Sequence, residues 1–155
     1  MSLRHMSVET FQAELKLQYP DIAQQLAERK DLMRVLTVLK ESVDELKNVP
    51  DICQYFLIDD VRLTDGEAIS VSLKESSQKI YWAFLRYLYQ YDKLNKEIFR
   101  GIMRKIQEET GILGKELWNP VRVAMTGKLN SPDLAALAEI MGKKKVGMVI
   151  RKLVD

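Results

Sequence analysis

Apolar residues recur at three- and four-residue spacing over most of this chain, and few other patterns confine a fold so tightly. Leu32, Val35, Leu36, Leu39, Val43 and Leu46 show it most clearly, and their spacing predicts an amphipathic helix over about 31–47. Ahead of it, Ser7 with Glu9 behind it reads as a helix cap. The helix it starts is anchored by Phe11, Leu15 and Leu17 and closed by Pro20. A short helix is expected after Asp21. Pro50 and Asp51 start another, which carries Ile52, Cys53, Tyr55, Phe56 and Leu57. The period resumes over 72–91 with Leu73, Ile80, Trp82, Phe84, Leu85, Leu88 and Tyr89, and again over 95–110. The rest reads helix, turn, helix, turn, helix, with Gly127 and Gly142 placed as left-handed residues that close two of them. The expected fold is all-α.

The stretch IDDVRLTDGEAISV, 58–71, loses the period and contains Asp65-Gly66. It places a connecting loop at 61–71 between an N-terminal helical subdomain, 7–60, and a C-terminal one, 72–155. Residues 1–6 read as a tag or a disordered lead, because a second methionine, Met6, falls just before the first helix start. No fixed-period repeat appears.

At 155 residues, with 46% hydrophobic and 30% charged, the chain can bury a core without help from metal or disulfide. Cys53 is the only cysteine, so an internal disulfide and a cysteine-based zinc site are excluded, and a reducing compartment, the cytoplasm, is expected. The opening stretch MSLRHMSVETF lacks the apolar run expected of a secretory leader, and no run approaches the roughly 20 apolar residues of a membrane span. The expectation is a soluble protein without a membrane partner. Net charge is +2, but from Gly111 onward eight Lys or Arg face four Asp or Glu, so the positive charge gathers in the last third.

Catalytic chemistry finds little footing. His5 is the lone histidine, and no serine or cysteine is positioned beside it as a nucleophile. A Gly-rich phosphate loop, H-E-x-x-H and a calcium loop are all absent, and the neighbours Asp59-Asp60 read as solvated surface, so no metal site is expected. Cys53, in an apolar helix, reads as a small core residue. Tyr81, Trp82, Phe84, Tyr87, Tyr89 and Tyr91 suggest a base-stacking platform at first sight. Their helical spacing spreads them over more than one face, which favours core packing.

One stretch stands out: NPVRVAMTGKLNSPDL, 119–134, sets a stop, a basic turn and a strong start within sixteen residues. Ser131-Pro132-Asp133 has the chemistry of a helix start, with a hydroxyl cap, a proline at the first position and an acid near the positive end of the dipole. Such an N-terminus, with Lys128, Leu129 and Asn130 before it and Arg122 about a turn ahead of Gly127, suits nucleic acid. On the residues alone, a plain helical hairpin stands level with that reading. So do two readings of Lys143, Lys144 and Lys145: a phosphate patch, or the exposed first turn of a helix after Gly142.

The order Gly114-Lys115, Pro120, Arg122, Thr126-Gly127, Ser131-Pro132, Leu134 and Gly142-Lys143 resembles the C-terminal anticodon-binding region of bacterial glutamyl-tRNA synthetases. LKESVDELK from Leu39, and PDICQYF after it, resemble the preceding helical subdomain more loosely. The H-I-G-H- and K-M-S-K-like signatures of that family's catalytic domain have no counterpart here. The resemblance implies a multihelical anticodon-binding module of two subdomains, monomeric, that selects tRNA-Glu for glutamate attachment. Its partners would be the tRNA-Glu anticodon stem-loop and a catalytic domain. No cofactor is implied in this chain, since ATP and Mg belong to that domain, and no catalysis either. Carried onto this sequence, it places Arg122, Ser131, Pro132 and Leu134 beside anticodon bases. Lys115, Lys128, Lys143, Lys144 and Lys145 are assigned to phosphates. Ser42 stands near where many relatives carry an arginine that helps read the third anticodon base, so choice between glutamate and glutamine tRNAs would be relaxed, with Lys40 or Lys47 left to phosphates. The alternative is a stand-alone helical protein-interaction domain. A third possibility, a DNA-binding helix-turn-helix, would need base-reading side chains that AALAEIM does not supply.

Overall fold

A computed structural model describes residues 3–57, 63–131 and 133–154. Among these, the secondary structure is nine α-helices and two short 3-10 turns, with no strand. The fold is all-α. Two compact units divide the chain, Met1–Leu57 and Ile58–Asp155.

In the first unit, α1 (Val8–Gln18) packs on α2 (Pro20–Ala27) and α3 (Leu32–Ser42), and α4 (Val49–Phe56) completes it. Ser7 caps α1 as expected, its hydroxyl accepting from the Thr10 N–H at 3.1 Å. Phe11 and Leu15 are buried, but Leu17 is 77% exposed and anchors nothing. The helix expected over 31–47 stops at Ser42. Val43 turns extended, and a 3-10 turn at Leu46–Asn48 leads into α4. Val43 is nonetheless buried, so burial followed the spacing where the backbone did not. Residues 3–6 are no loose lead: Leu3–His5 form a 3-10 turn on α3, with Leu3 buried and the Lys40 Nζ donating to the Arg4 carbonyl at 3.1 Å. Cys53 is buried, and desolvation pushes its thiol up from 9.0 to about 12, as a core residue requires.

The second unit is built on α6 (Glu75–Leu88), which packs against α7 (Lys96–Thr110), α8 (Gly114–Thr126) and α9 (Leu134–Arg151), while α5 (Gly66–Leu73) lies on α8 and α6. α5 occupies much of the segment expected to be a loop. The Asp65 carboxylate accepts from the Glu67 N–H, so Asp-Gly here is a cap and first helical residue instead of a turn. Eight residues with Ala68 and Ser72 inward give too short a period to read. The helix expected over 72–91 begins instead at Glu75, after an extended break at Lys74, and Leu73 is 70% exposed at the end of α5. Tyr81 and Phe84 enter the core and Trp82 and Tyr89 face outward, so the aromatics form no single platform. The Tyr81 hydroxyl donates to the Pro120 carbonyl at 2.8 Å, tying α6 to α8.

Asn95 caps α7 through the Ile98 N–H, and Phe99, Ile102, Met103 and Ile106 form its buried stripe. Gly111 and Gly127, at φ 73 and φ 76, close α7 and α8 in the left-handed conformation. Gly142 does not close a helix in that way. At φ 83 and ψ 165 it sits in a region open essentially to glycine alone and breaks α9 from within. None of the described helices is long and apolar enough to cross a membrane.

Candidate functional site

The second unit carries the stretch singled out above, and its geometry centres on one guanidinium. Arg122, half-buried on α8, donates from Nε to the Ser131 Oγ at 3.0 Å and from Nη1 to the Asn119 Oδ1 at 3.0 Å. A guanidinium has five N–H groups. One on Nη1 and both on Nη2 therefore have no protein partner among the described residues.

The turn after α8 is held by Thr126. Its buried hydroxyl lies 2.7 Å from the Arg122 carbonyl and 3.1 Å from that of Lys128, and accepts from the Lys128 N–H at 3.1 Å. One threonine thus fixes the end of α8 and the first turn residue together, which delivers Ser131 to Arg122. The cap of α9 is Asp133, not Ser131: its carboxylate accepts from the Ala135 N–H at 3.1 Å, and the helix begins at Leu134. Ser131 stands two residues ahead of that cap, and its hydroxyl accepts from the Arg122 Nε. Arg100 of α7 lies 3.8 Å from the Asp133 carboxylate, adding a second arginine beside the same helix start.

Other expected site residues separate under this geometry. Leu134, 2% exposed, is a core residue that seats the start of α9 and offers a ligand no side-chain surface. Pro132 lies outside the described residues, as do Asp59 and Asp60. Lys115 shares the Arg122 face of α8, since positions seven apart realign on a helix, and stands roughly 10 Å along its axis. Lys128 is exposed in the turn. Lys143, Lys144 and Lys145 open the second limb of α9 past Gly142, with Lys144 exposed and the other two half-buried.

In the first unit, the Ser42 Oγ is buried with no hydrogen-bond partner among the described residues, so it presents nothing to a base. Lys40 is buried and tied to the Arg4 carbonyl, so phosphate contact is closed to it. Among the described residues, no group of three or more His, Cys, Asp or Glu could hold a metal.

Asn119 and Arg100 are the site residues that sequence reasoning missed. Asn119 had a local signal, three residues before Arg122 on one helix face. Arg100 had none, because its partner is in another helix.

Comparison with known proteins follows the same stretch outward to nearly the whole chain. A model of the anticodon binding domain family matches residues 8–154. The chain is 30% identical over 115 residues to glutamate-tRNA ligase 1 of Caldicellulosiruptor saccharolyticus, covering 74% of this chain and 24% of the relative. It is 25% identical over 122 residues to a glutamate-tRNA ligase of a Sulfurihydrogenibium species, covering 79% and 26%. The chain thus spans about a quarter of the length of the curated relatives it matches. A solved glutamate tRNA ligase from Elizabethkingia meningosepticum aligns with a TM-score of 0.66 and 19% identity, over 94% of this chain and 31% of that one, which bears on the fold. With a family model running over almost its full length, the chain belongs to the anticodon binding domain family.

Proposed function

We propose that this chain binds the anticodon stem-loop of tRNA-Glu and reads one unstacked base with Arg122, serving a glutamate-attaching catalytic domain outside it. The observation that carries the reading is the Arg122 guanidinium: half-buried, gripped at two nitrogens by Ser131 and Asn119, with three N–H donors that meet no acceptor among the described residues. Unstacked RNA bases are recognised on their polar edges by donors of this kind. Ser131 acts here through Arg122, and Leu134 acts by seating α9.

Lys115, Lys128, Lys143, Lys144 and Lys145 supply affinity through phosphates and carry no sequence information. The Gly142 kink supports this role for the last three. It starts a new helical limb with three lysines in its first turn, where the helix dipole disfavours cations unless anions are at hand. The chain performs no chemistry alone in this reading. ATP and Mg act in the catalytic domain, and the module works as a monomer in the cytoplasm.

The test is a titration against tRNA-Glu and an anticodon-swapped version at two salt concentrations. Tighter, salt-sensitive binding to the correct anticodon is expected. Arg122→Ala is expected to lower affinity by roughly 1–3 kcal/mol and to relax preference at one base. Equal binding to both RNAs, or weak salt dependence with a preference for protein partners, overturns the reading.

A further inference from the structure

We infer that Asn119 is a positioning residue that holds the Arg122 guanidinium in its base-reading orientation, an inference resting on the base-reading role given to Arg122 above. An arginine side chain has four flexible torsions and loses about 2 kcal/mol of rotamer entropy when fixed. An unheld guanidinium would meet that cost on binding, in full, and would present many planes to a base. Here two elements meet it beforehand. Ser131 arrives from the turn and takes Nε, while Asn119 arrives from α8 itself and takes Nη1, each at 3.0 Å.

The two grips differ in kind. Ser131 depends on the path of the turn that Thr126 holds. Asn119 is three residues before Arg122 on the same helix, so its acceptor stays in place whatever the turn does. Contacts to different nitrogens of one planar group fix its plane as a single contact cannot. The acceptor is also neutral. A carboxylate at 119 would make the same bond but cancel the positive charge that an RNA needs to meet, so an amide orients Arg122 and leaves its charge available.

A merely structural asparagine would be a poor choice at this point. Position 119 lies inside α8 immediately before Pro120, where the ring of the following proline disfavours helical backbone, and asparagine is a weak helix former. Among the described residues its side chain bonds only to Arg122 on α8 itself, and so ties no other element to that helix.

The experiment uses the full chain with tRNA-Glu and the anticodon-swapped tRNA, comparing the ratio of affinities. Asn119→Ala is expected to cut the matched-over-swapped ratio by about fivefold or more, with affinity for the swapped RNA and the salt slope unchanged. Asn119→Leu, near-isosteric and apolar, gives the same loss if alanine perturbs folding. Asn119→Asp keeps the ratio, because the acceptor remains, but lowers affinity for both RNAs. In an Arg122→Ala background, Asn119→Ala has no further effect on the ratio. A ratio that falls with Arg122→Ala and stays intact in both Asn119→Ala and Asn119→Leu overturns the positioning role and leaves the base-reading role standing. A ratio untouched by Arg122→Ala overturns both.

Discussion

The Arg122 Nε donates to the Ser131 Oγ at 3.0 Å across the turn between α8 and α9, so the hydroxyl that sequence chemistry offers as a helix cap instead orients an arginine. The cap falls to Asp133, two residues on. This division of labour separates specificity from stability, and substitutions at the two positions should diverge.

Ser131→Ala removes a partner of the Arg122 guanidinium and no cap. Losing the Arg122 bond should cost about 0.5–1.5 kcal/mol of stability, and should lower preference for the matched anticodon. Asp133→Ala should cost about 0.5–2 kcal/mol with preference retained, and Asp133→Ser should restore most of that stability. Urea unfolding alongside RNA titration reads both quantities. A preference that follows Asp133 instead of Ser131 would reverse the assignment.

Much of this was legible in the sequence wherever caps, period and stop agreed. α7 is the clearest instance: Asn95 opens it, Phe99, Ile102, Met103 and Ile106 stripe it, and Gly111 ends it. The failures share a cause, a local signal with two structural uses. Asp65-Gly66 serves a turn or a cap equally well, and only the inward packing of Ala68 over an eight-residue helix decides for the cap. Ser131 and Asp133 both suit a helix start. In the fold Asp133 takes the cap, while Ser131 meets Arg122, nine residues upstream in another helix, a pairing that local chemistry does not announce. The Arg100–Asp133 proximity is wholly non-local. Ser42 illustrates a different limit: it falls within the expected helix, as the last residue of α3, but the burial of its hydroxyl is a property of packing that periodicity does not specify.

Acid should weaken the first unit through Asp31. Its carboxylate accepts from the Arg29 Nε at 2.9 Å and the Arg34 Nη2 at 2.7 Å. The Arg29 hydrogen bond foremost, with Arg34 adding to it against an opposing burial penalty, holds its pKa down from 3.8 to about 2. A carboxyl depressed on folding stabilises the native state above its unfolded value and loses that contribution as pH falls through the folded one. Asp31→Asn should therefore lower stability at pH 7, by an amount reduced because the site is partly solvated, and flatten the decline between pH 3.8 and about 2, where the two chains converge. Circular dichroism during urea unfolding at several acidic pH values measures this.

Cys53 should resist alkylation until the first unit unfolds. Burial lifts its thiol to about 12, so the native state keeps the proton over a pH range in which the unfolded chain, with a value near 9.0, gives it up. Fewer protons bound in the unfolded state means stability falling with pH between those values and no contribution below them. Iodoacetamide labelling at pH 8.5, followed against urea concentration, should track global unfolding, and Cys53→Ala should shallow the alkaline loss of stability. Rapid labelling without denaturant would contradict the burial.

Gly142 and the lysines after it should be separable in the same way as Ser131 and Asp133. At φ 83 and ψ 165, Gly142→Ala places a side chain in a backbone region costing about 1–3 kcal/mol, so either stability falls by that amount or α9 straightens. Straightening would swing Lys143, Lys144 and Lys145 about the helix axis and lower RNA affinity with anticodon preference intact. Lys144→Ala tests their role without touching the backbone, since Lys144 is the exposed one of the three. Loss of one phosphate contact should reduce the slope of log affinity against log salt by roughly 0.7–0.9 and weaken matched and swapped RNAs alike. Parallel titrations at 50, 100 and 200 mM salt supply that slope for the native chain and for each variant. A Lys144→Ala variant that changed base preference while keeping its salt slope would move this lysine from the phosphates to the bases and require a different docking of the loop.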